Sequence, residues 1–265
     1  MDIPFEIDPD RYQRTGDYVY ARDPKLRFDQ RRLARLVGFV AFGLPIVLGL
    51  GGYALGEFRA ALSGYYYEEL VLGDVFVGSL ALIASLLLAY RGWTAHVARL
   101  ATLAGLATLL VAFVPMDGWV TGCESLSLDG QCEAETRLYP RIGYWVHAFS
   151  AGALFAVLAF FCFFVFTRVP AHRAHKPLSD AKRMRNLIYR ISGGVIVIAT
   201  LSIAAGDLLL GDSWRAHNLT YWMEALALAA FGTSWMVQGR AVPSQLRDPE
   251  DQADALEAAR GPEAG

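Results

Sequence analysis

Long stretches without charged residues alternate with short polar segments along this chain. Six such stretches follow one another between residues 35 and 240, each near the length that a helix needs to cross a membrane. A hydrocarbon core of about 30 Å is spanned by roughly 20 apolar residues rising 1.5 Å each. The predicted spans are residues 36–56, 70–90, 100–116, 142–167, 191–210 and 218–237.

Helices are favoured over strands because lipid offers the backbone no hydrogen-bond partner. Each N–H and C=O in the hydrocarbon must be paired within the protein, which leaves helices and closed barrels as spanning elements. The alternation of period two that a barrel strand needs is absent from these stretches. Hydrophobic residues make up 54% of the chain, a high share for a water-soluble domain. We therefore predict an all-α bundle of six transmembrane helices over residues 35–240, between tails at 1–34 and 241–265.

Basic residues are concentrated on one side of the predicted spans. The two tails and the loops after the second and fourth spans together contain 20 of the 24 Lys and Arg residues. By the positive-inside rule both termini lie in the cytoplasm. The Ala- and Arg-rich usage points to a bacterial plasma (inner) membrane, with membrane lipids as partners. The basic residues follow the membrane and form no separate patch, so we expect no nucleic-acid partner.

Two of the three cysteines lie nine residues apart in the long loop between the third and fourth spans. If this loop faces an oxidising compartment, Cys123 and Cys132 are expected to form a disulfide. A redox-active pair is the alternative, although no C-x-x-C spacing is present. Cys162 lies in a phenylalanine-rich part of the fourth span, where packing is its expected role.

Ionisable side chains occur near the outer ends of the predicted spans, where they are costly. A charged group at bilayer depth costs about 2.5–3.5 kcal/mol on insertion scales, so its presence requires a partner, a cavity or a function. Asp74, His147 and Glu224 lie at similar depths in the second, fourth and sixth spans. The other members of a candidate outward-facing pocket are Tyr66, Tyr144, Asp207, His217 and Tyr221.

Several functions fit this polar set. It can be a structural network between helices, a pocket for a lipid head group or small ligand, or part of a proton-coupled transporter. It can also be a metal-dependent hydrolase acting on lipids, with zinc held by His147, Asp74 and Glu224. Zinc sites usually contain more than one His, so His217 would have to join the ligands, and we expect no metal or other cofactor.

No nucleophile elbow, H-E-x-x-H, P-loop or dinucleotide-binding motif is present in the sequence. We predict an integral membrane protein whose outward-facing polar pocket binds a lipid head group or small ligand, and leave open whether it is an enzyme.

The stretches YYYEE…GDVFVGSL, GYWVHAFSAGALFAVLAFFCFFVF, RNLIYR and YWMEALALAAFGTSW resemble a group of uncharacterised bacterial six-helix membrane proteins. That group is more distantly similar to the DRAM-like (damage-regulated autophagy modulator) six-helix family. The resemblance covers about residues 35–240 and implies a six-span topology with polar residues around the first outer loop. It also implies a His and a Glu in the fourth and sixth helices, here His147 and Glu224, with Asp74 following the first outer loop. It implies no particular activity.

Overall fold

Six long helices form the described part of the chain in a computed structural model. The structure describes residues 30–67, 71–91, 94–114, 116, 119–120, 123–126, 132–134, 137–138, 140–168, 179–241 and 243. For residue 207 and for the described residues from 119 to 141, it describes only the backbone. The long helices are α1 (Gln30–Leu55), α2 (Val71–Ala89), α3 (Ala95–Phe113), α4 (Pro140–Phe160), α5 (Asp180–Leu210) and α6 (Leu219–Gln238). A 3-10 helix covers Leu62–Tyr67, a π-helical turn continues α4 over Phe161–Val165, and a short helix covers Asp212–Ala216.

Four short strands lie between α3 and α4 in two antiparallel pairs. β1 (Trp119–Val120) pairs with β4 (Arg137–Leu138), and β2 (Cys123–Leu126) pairs with β3 (Cys132–Ala134). In the inner pair Cys123 stands opposite Ala134, and Cys132 stands opposite Leu126. The side chains of the two cysteines lie outside the described part of the chain, so their disulfide stays a prediction.

The helices form a closed ring. Each packs against the helix that follows it in sequence, and α6 returns to pack against α1. A Cβ atom on Gly232 of α6 would lie 2.7 Å from the carbonyl oxygen of Gly38 and 2.7 Å from the nitrogen of Phe42, both in α1. The backbones are therefore too close for any side chain at this crossing, as in small-residue contacts between membrane helices.

The first and last helices run antiparallel. Gly239, just after α6, lies against Arg31 and Arg35 at the start of α1, while Tyr221 near the start of α6 lies against Gly49. The chain therefore enters α1 and leaves α6 at the same end of the bundle.

The end of the bundle where α1 begins and α6 ends also holds the end of α2 and the start of α5. The backbone N–H of Arg91 donates to Gln30 Oε1 at 3.2 Å, and the Tyr189 hydroxyl donates to Gln238 Oε1 at 3.1 Å. We call this the basic end, because its described residues include eleven Arg and Lys side chains. They are Arg31, Arg32, Arg35, Arg91, Arg99, Arg168, Lys182, Arg183, Arg185, Arg190 and Arg240. We call the other the loop end; it holds residues 56–67, Val114 and residues 211–218.

Trp235 is fully buried in the half of the bundle nearer the basic end. The rings of Tyr90, Phe161, Phe166 and Phe231 surround it, with centroids 5.1 to 6.2 Å from its own. These rings come from the ends of α2, α4 and α6, so one aromatic cluster joins three helices, with Phe161 stacked on Trp235 and the other three rings edge-on to it.

Five of the six long helices are long and apolar enough to cross a membrane, namely α1, α2, α3, α4 with its π-helical turn, and α5. Their outward faces carry exposed large hydrophobic side chains such as Phe39, Leu50, Phe149 and Ile198. This confirms the prediction of a helical, multi-pass membrane protein. Helix ends differ from the predicted spans where polar turns extend a helix: α1 begins at Gln30 and α5 at Asp180, whereas hydropathy marks only the apolar part.

The sixth predicted span, 218–237, matches α6 in position, but α6 is not among the five apolar helices. Its 20 residues include Glu224 and several Thr, Ser, Tyr and Trp residues. Since α6 packs between α1 and α5, less of its surface faces outward and less of it has to be apolar.

The α1–α6 crossing can be tested by adding one methyl group. Gly232→Ala should lower the free energy of unfolding by about 1–3 kcal/mol, because the new Cβ meets backbone atoms that cannot move aside. Gly43→Ala in α1 is the control, since a Cβ there has nothing within 4 Å. Unfolding of the detergent-solubilised protein measures both, and equal stability of the two variants would contradict the close crossing.

Candidate functional site

Glu224 in α6 joins the last helix to the loop after α1. Its Oε2 accepts a hydrogen bond of 2.6 Å from the backbone N–H of Leu62, and the N–H of Ser63 also donates to the carboxylate. Next to these bonds, the backbone N–H of Tyr221 donates to the Ala60 carbonyl oxygen at 2.8 Å. We call these three contacts the loop anchor. They fix a surface segment against a helix more than 150 residues later in the chain.

In the loop anchor, the Glu224 carboxylate of α6 caps the start of the 3-10 helix. Leu62 and Ser63 are the first two residues of the 3-10 helix, and the first N–H groups of any helix have no partner within it. A carboxylate suits this position because it accepts several hydrogen bonds and its charge complements the positive end of the helix dipole. Burial of these N–H groups without an acceptor would cost about 1–3 kcal/mol each.

Two tyrosine hydroxyls rest directly on the backbone of α1 beside the loop anchor. Tyr221 donates to the Pro45 carbonyl oxygen at 2.6 Å, and its hydroxyl occupies the place where Gly49 would carry a Cβ. The hydroxyl of Tyr65 likewise occupies the place where Gly52 would carry a Cβ. Both tyrosines are buried. The two glycines are therefore needed for close approach, and they let the 3-10 helix and α6 seat against α1.

The carboxylate of Glu224 keeps unused hydrogen-bonding capacity. An ionised carboxylate offers about four acceptor positions, and the two backbone N–H groups use two of them. Taken as a whole residue, Glu224 is half-buried. The hydroxyl of Ser63 is buried and has no hydrogen-bond partner among the described residues. Glu224 can therefore accept a further donor without giving up the 3-10 helix.

His147 in α4 is hydrogen-bonded to a different segment, the residue that follows α3. Its ring is 4% exposed, and Nδ1 lies 2.8 Å from the carbonyl oxygen of Val114, the residue after α3. Since a carbonyl only accepts, Nδ1 carries the proton and Nε2 keeps its lone pair in the neutral ring. His147 thus satisfies a carbonyl that the end of α3 leaves without a helical partner.

The remaining members of the predicted polar set whose side chains the structure describes make none of the three contacts of the loop anchor. Asp74 is exposed in the first turn of α2, and Tyr144 is exposed beside Trp145 in α4. His217 is exposed, with Nδ1 2.9 Å from the Ser213 carbonyl oxygen. Tyr66 is half-buried in the 3-10 helix. Asp207 lies in α5, but its side chain is outside the described part of the chain.

The structure therefore brings together Glu224, Tyr221 and the 3-10 helix that carries Tyr66, whereas the ring of His147 is hydrogen-bonded to Val114, just after α3. No group of three or more His, Cys, Asp or Glu side chains that could hold a metal ion occurs among the described residues. The zinc set of His147, Asp74 and Glu224 consequently gains no support.

Sequence reasoning missed the partners of Glu224 and His147, which are backbone groups. Any residue at positions 62, 63 or 114 supplies the same N–H or C=O, so residue types carry no signal for them. The contacts of the Tyr221 and Tyr65 hydroxyls with α1 at Gly49 and Gly52 were also not predicted. Their signal was present in the sequence as glycines at 49 and 52, which allow a close approach at one level of α1.

Removal of the Glu224 carboxylate should release the 3-10 helix. Glu224→Ala is expected to lower the free energy of unfolding by about 1–3 kcal/mol and to speed amide hydrogen exchange at residues 62–67, because two N–H groups lose their acceptor. Glu224→Gln should keep most of the protection, since its amide oxygen still accepts. Glu57→Ala, an exposed carboxylate of the same loop, is the control, and equal exchange in all variants would exclude the capping role.

Comparison of the chain with models of protein families, with curated proteins and with solved structures finds no match. The assignment of function therefore depends on the geometry of the chain itself.

Proposed function

We propose that this chain is a six-span membrane protein with both termini in the cytoplasm, whose Glu224 site at the outer end binds a cationic group of a lipid head group or small ligand. The observation that carries the ligand assignment is the acceptor capacity that the Glu224 carboxylate has left beside the two backbone N–H groups of the loop that it already holds.

The antiparallel pairing of α1 and α6 supports the topology. If α6 spans the membrane as the other five helices do, the two tails leave from the same face, and that face is the basic end. The ring order supports the same count, since α6 occupies the place between α5 and α1 that a sixth span would fill. The positive-inside rule then assigns the basic end to the cytoplasm.

Reporter fusions test this topology. A fluorescent protein that folds only in the cytoplasm should be bright at either terminus of the full chain, whereas a phosphatase that is active only outside should be inactive at both. With five spans the two termini would lie on opposite sides, so one bright and one dark fusion would exclude the six-span arrangement. A fusion after residue 217, in the predicted last outer loop, should give the opposite pattern and serves as the control.

A donor with positive charge suits the Glu224 site best. A carboxylate only accepts hydrogen bonds, and charge-assisted bonds from a cation are roughly twice as strong as neutral ones. The described residues of the loop end and of the neighbouring first turn of α2 also include three exposed carboxylates and two arginines. The carboxylates belong to Glu57, Asp74 and Asp212, and the arginines are Arg59 and Arg215. Ethanolamine head groups provide an ammonium at this depth, where the outer ends of the helices meet the lipid head groups.

A purely structural role is the second candidate, favoured by the fact that both Glu224 and His147 bond to the backbone of a neighbouring segment. Glu224→Gln separates the two roles. The amide oxygen can still cap the 3-10 helix, but the charge that would bind a cation is gone.

Phosphatidylethanolamine added to the detergent-purified protein should raise its melting temperature, and Glu224→Gln should weaken the apparent affinity about tenfold or more. This is the loss expected for one charge-assisted hydrogen bond of about 1.5–3 kcal/mol. Glu57→Gln removes the same charge from the same loop end and should leave the affinity unchanged. If Glu224→Gln responds to the lipid as the wild type does, the ligand assignment fails and the structural role stands.

A further inference from the structure

A proline in the middle of α1 divides this helix into two halves. Pro45 is buried inside the helix. It has no backbone N–H to donate to the Ala41 carbonyl oxygen, and its ring crowds that carbonyl. Interruptions of this kind are the usual sites at which long helices bend. We propose that Pro45 is a hinge on which the outer half of α1, residues 46–55, swings when the loop anchor opens.

The inner half of α1 is held by its backbone. A Cβ atom on Gly38 would lie 2.7 Å from the Met236 nitrogen and 2.8 Å from the Gly232 carbonyl oxygen, both in α6. Backbone atoms in contact leave no side chain that could rotate to let the helices separate, and closely packed interfaces do not deform gradually. The inner half therefore stays fixed to α6.

The outer half of α1 is held by the ends of side chains, which come from α6, α2 and the 3-10 helix and meet it at three glycines. They are the Tyr221 hydroxyl at Gly49, a Leu72 methyl group at Gly51 and the Tyr65 hydroxyl at Gly52. The end of a side chain can leave such a place by rotation about its χ angles, without any movement of the element that carries it. The same glycines weaken the helix, because glycine is less favourable in a helix interior than any residue except proline. The outer half is therefore the part of α1 that can change position.

The last turn of α1 has little packing around it. Residues 53–57 are exposed without interruption, and a stretch of this length covers more than one helical turn. Every side of the turn is therefore accessible. The turn is closed by its own bonds, since the N–H of Glu57 donates to the Gly52 carbonyl oxygen at 2.7 Å and Gly56 takes a φ of +73°. It can therefore move as one piece.

Glu224 connects the loop anchor to this movement. Residues 56–61 join the end of α1 to the 3-10 helix, whose start is held by Glu224. While the anchor is closed, it keeps Tyr65 in place against α1. When the anchor opens, Tyr65 is released, and α6 still holds the hinge through the bond of the Tyr221 hydroxyl to the Pro45 carbonyl oxygen. The swing widens the space between α1 and α6 beside Glu224. In the proposed function this movement would admit the cation, whereas the hinge itself needs no ligand.

Distances between spin labels test the hinge in the full chain in detergent, with no lipid added. Labels at positions 53 and 149 report on the outer half of α1 relative to α4, and labels at 36 and 164 report on the inner half. All four positions are exposed, and a ketone-bearing unnatural residue carries each label, so the native cysteines stay unmodified. Glu224→Ala should change the 53–149 distance by up to about 5 Å and leave the 36–164 distance unchanged. This is the displacement at the end of a half-helix of about 15 Å that bends by about 20°. Adding Pro45→Ala to Glu224→Ala gives back the missing N–H and should restore the wild-type distance.

Gly43→Ala in the Glu224→Ala background is the matched control. It also favours helix in α1, and its Cβ meets nothing within 4 Å, but it leaves the interruption at Pro45. If Gly43→Ala restores the distance as Pro45→Ala does, general stabilisation of the helix explains the effect and the hinge is excluded. An unchanged 53–149 distance in Glu224→Ala overturns the proposal, as does a distance that Pro45→Ala fails to restore. An equal change in the 36–164 distance also overturns it, since α1 would then move as a whole.

Tyr221→Phe provides a second test with Glu224 and Pro45 intact, should Pro45→Ala not fold. It removes only the hydroxyl that donates to the Pro45 carbonyl oxygen. The variant should widen the distribution of the 53–149 distance and not that of the 36–164 distance, and an unchanged width would overturn the hinge. These measurements use no ligand, so a failure of lipid to bind at Glu224 would contradict the proposed function and leave the hinge in place.

Discussion

The backbone contact between α1 and α6 is the constraint on which the other features depend. At Gly38 and Gly232 the two helices approach so closely that only hydrogen fits between them. This contact closes the ring and fixes the level of α6 along α1. At the loop end it sets Tyr221 over Gly49 and brings Glu224 within reach of the 3-10 helix. At the basic end it brings Gly239 and Arg240 beside the start of α1. The proposed Glu224 site therefore depends on this crossing.

The burial of backbone N–H and C=O groups explains why ionisable side chains occur near the membrane, where they cost free energy. A loop that folds back onto a bundle brings N–H and C=O groups out of water, and each must find a partner. Glu224 provides one for the start of the 3-10 helix, and His147 provides one for the end of α3. The cost of an ionisable residue near the membrane is thus offset by the cost of leaving those groups unpaired. The carboxylate of Glu224 can still accept a further donor, because the two backbone N–H groups use only part of its acceptor capacity.

The sequence predicted much of the architecture because hydropathy reports directly on burial in lipid. The positions of the long helices followed from apolar stretches, whereas the added polar turns of α1 and α5 did not, since they form helix outside the apolar region. The sequence also identified Glu224 and His147 as unusual. It did not predict their partners, which are backbone atoms fixed only by packing, nor that Asp74 is exposed.

A ring closed by its first and last helices also sets an order of assembly. The N–H groups of Leu62 and Ser63 are made early in synthesis, but the carboxylate that caps them is 162 residues away from Leu62. Until α6 has been made and has packed, α1 has an open flank and the first loop has no cap. Contacts between distant parts of a chain are slow to form because ordering the chain between them comes first. Completion of the loop end therefore requires that α6 has been made and has packed, and a chain that ends before residue 219 exposes an uncapped loop and a glycine-lined groove.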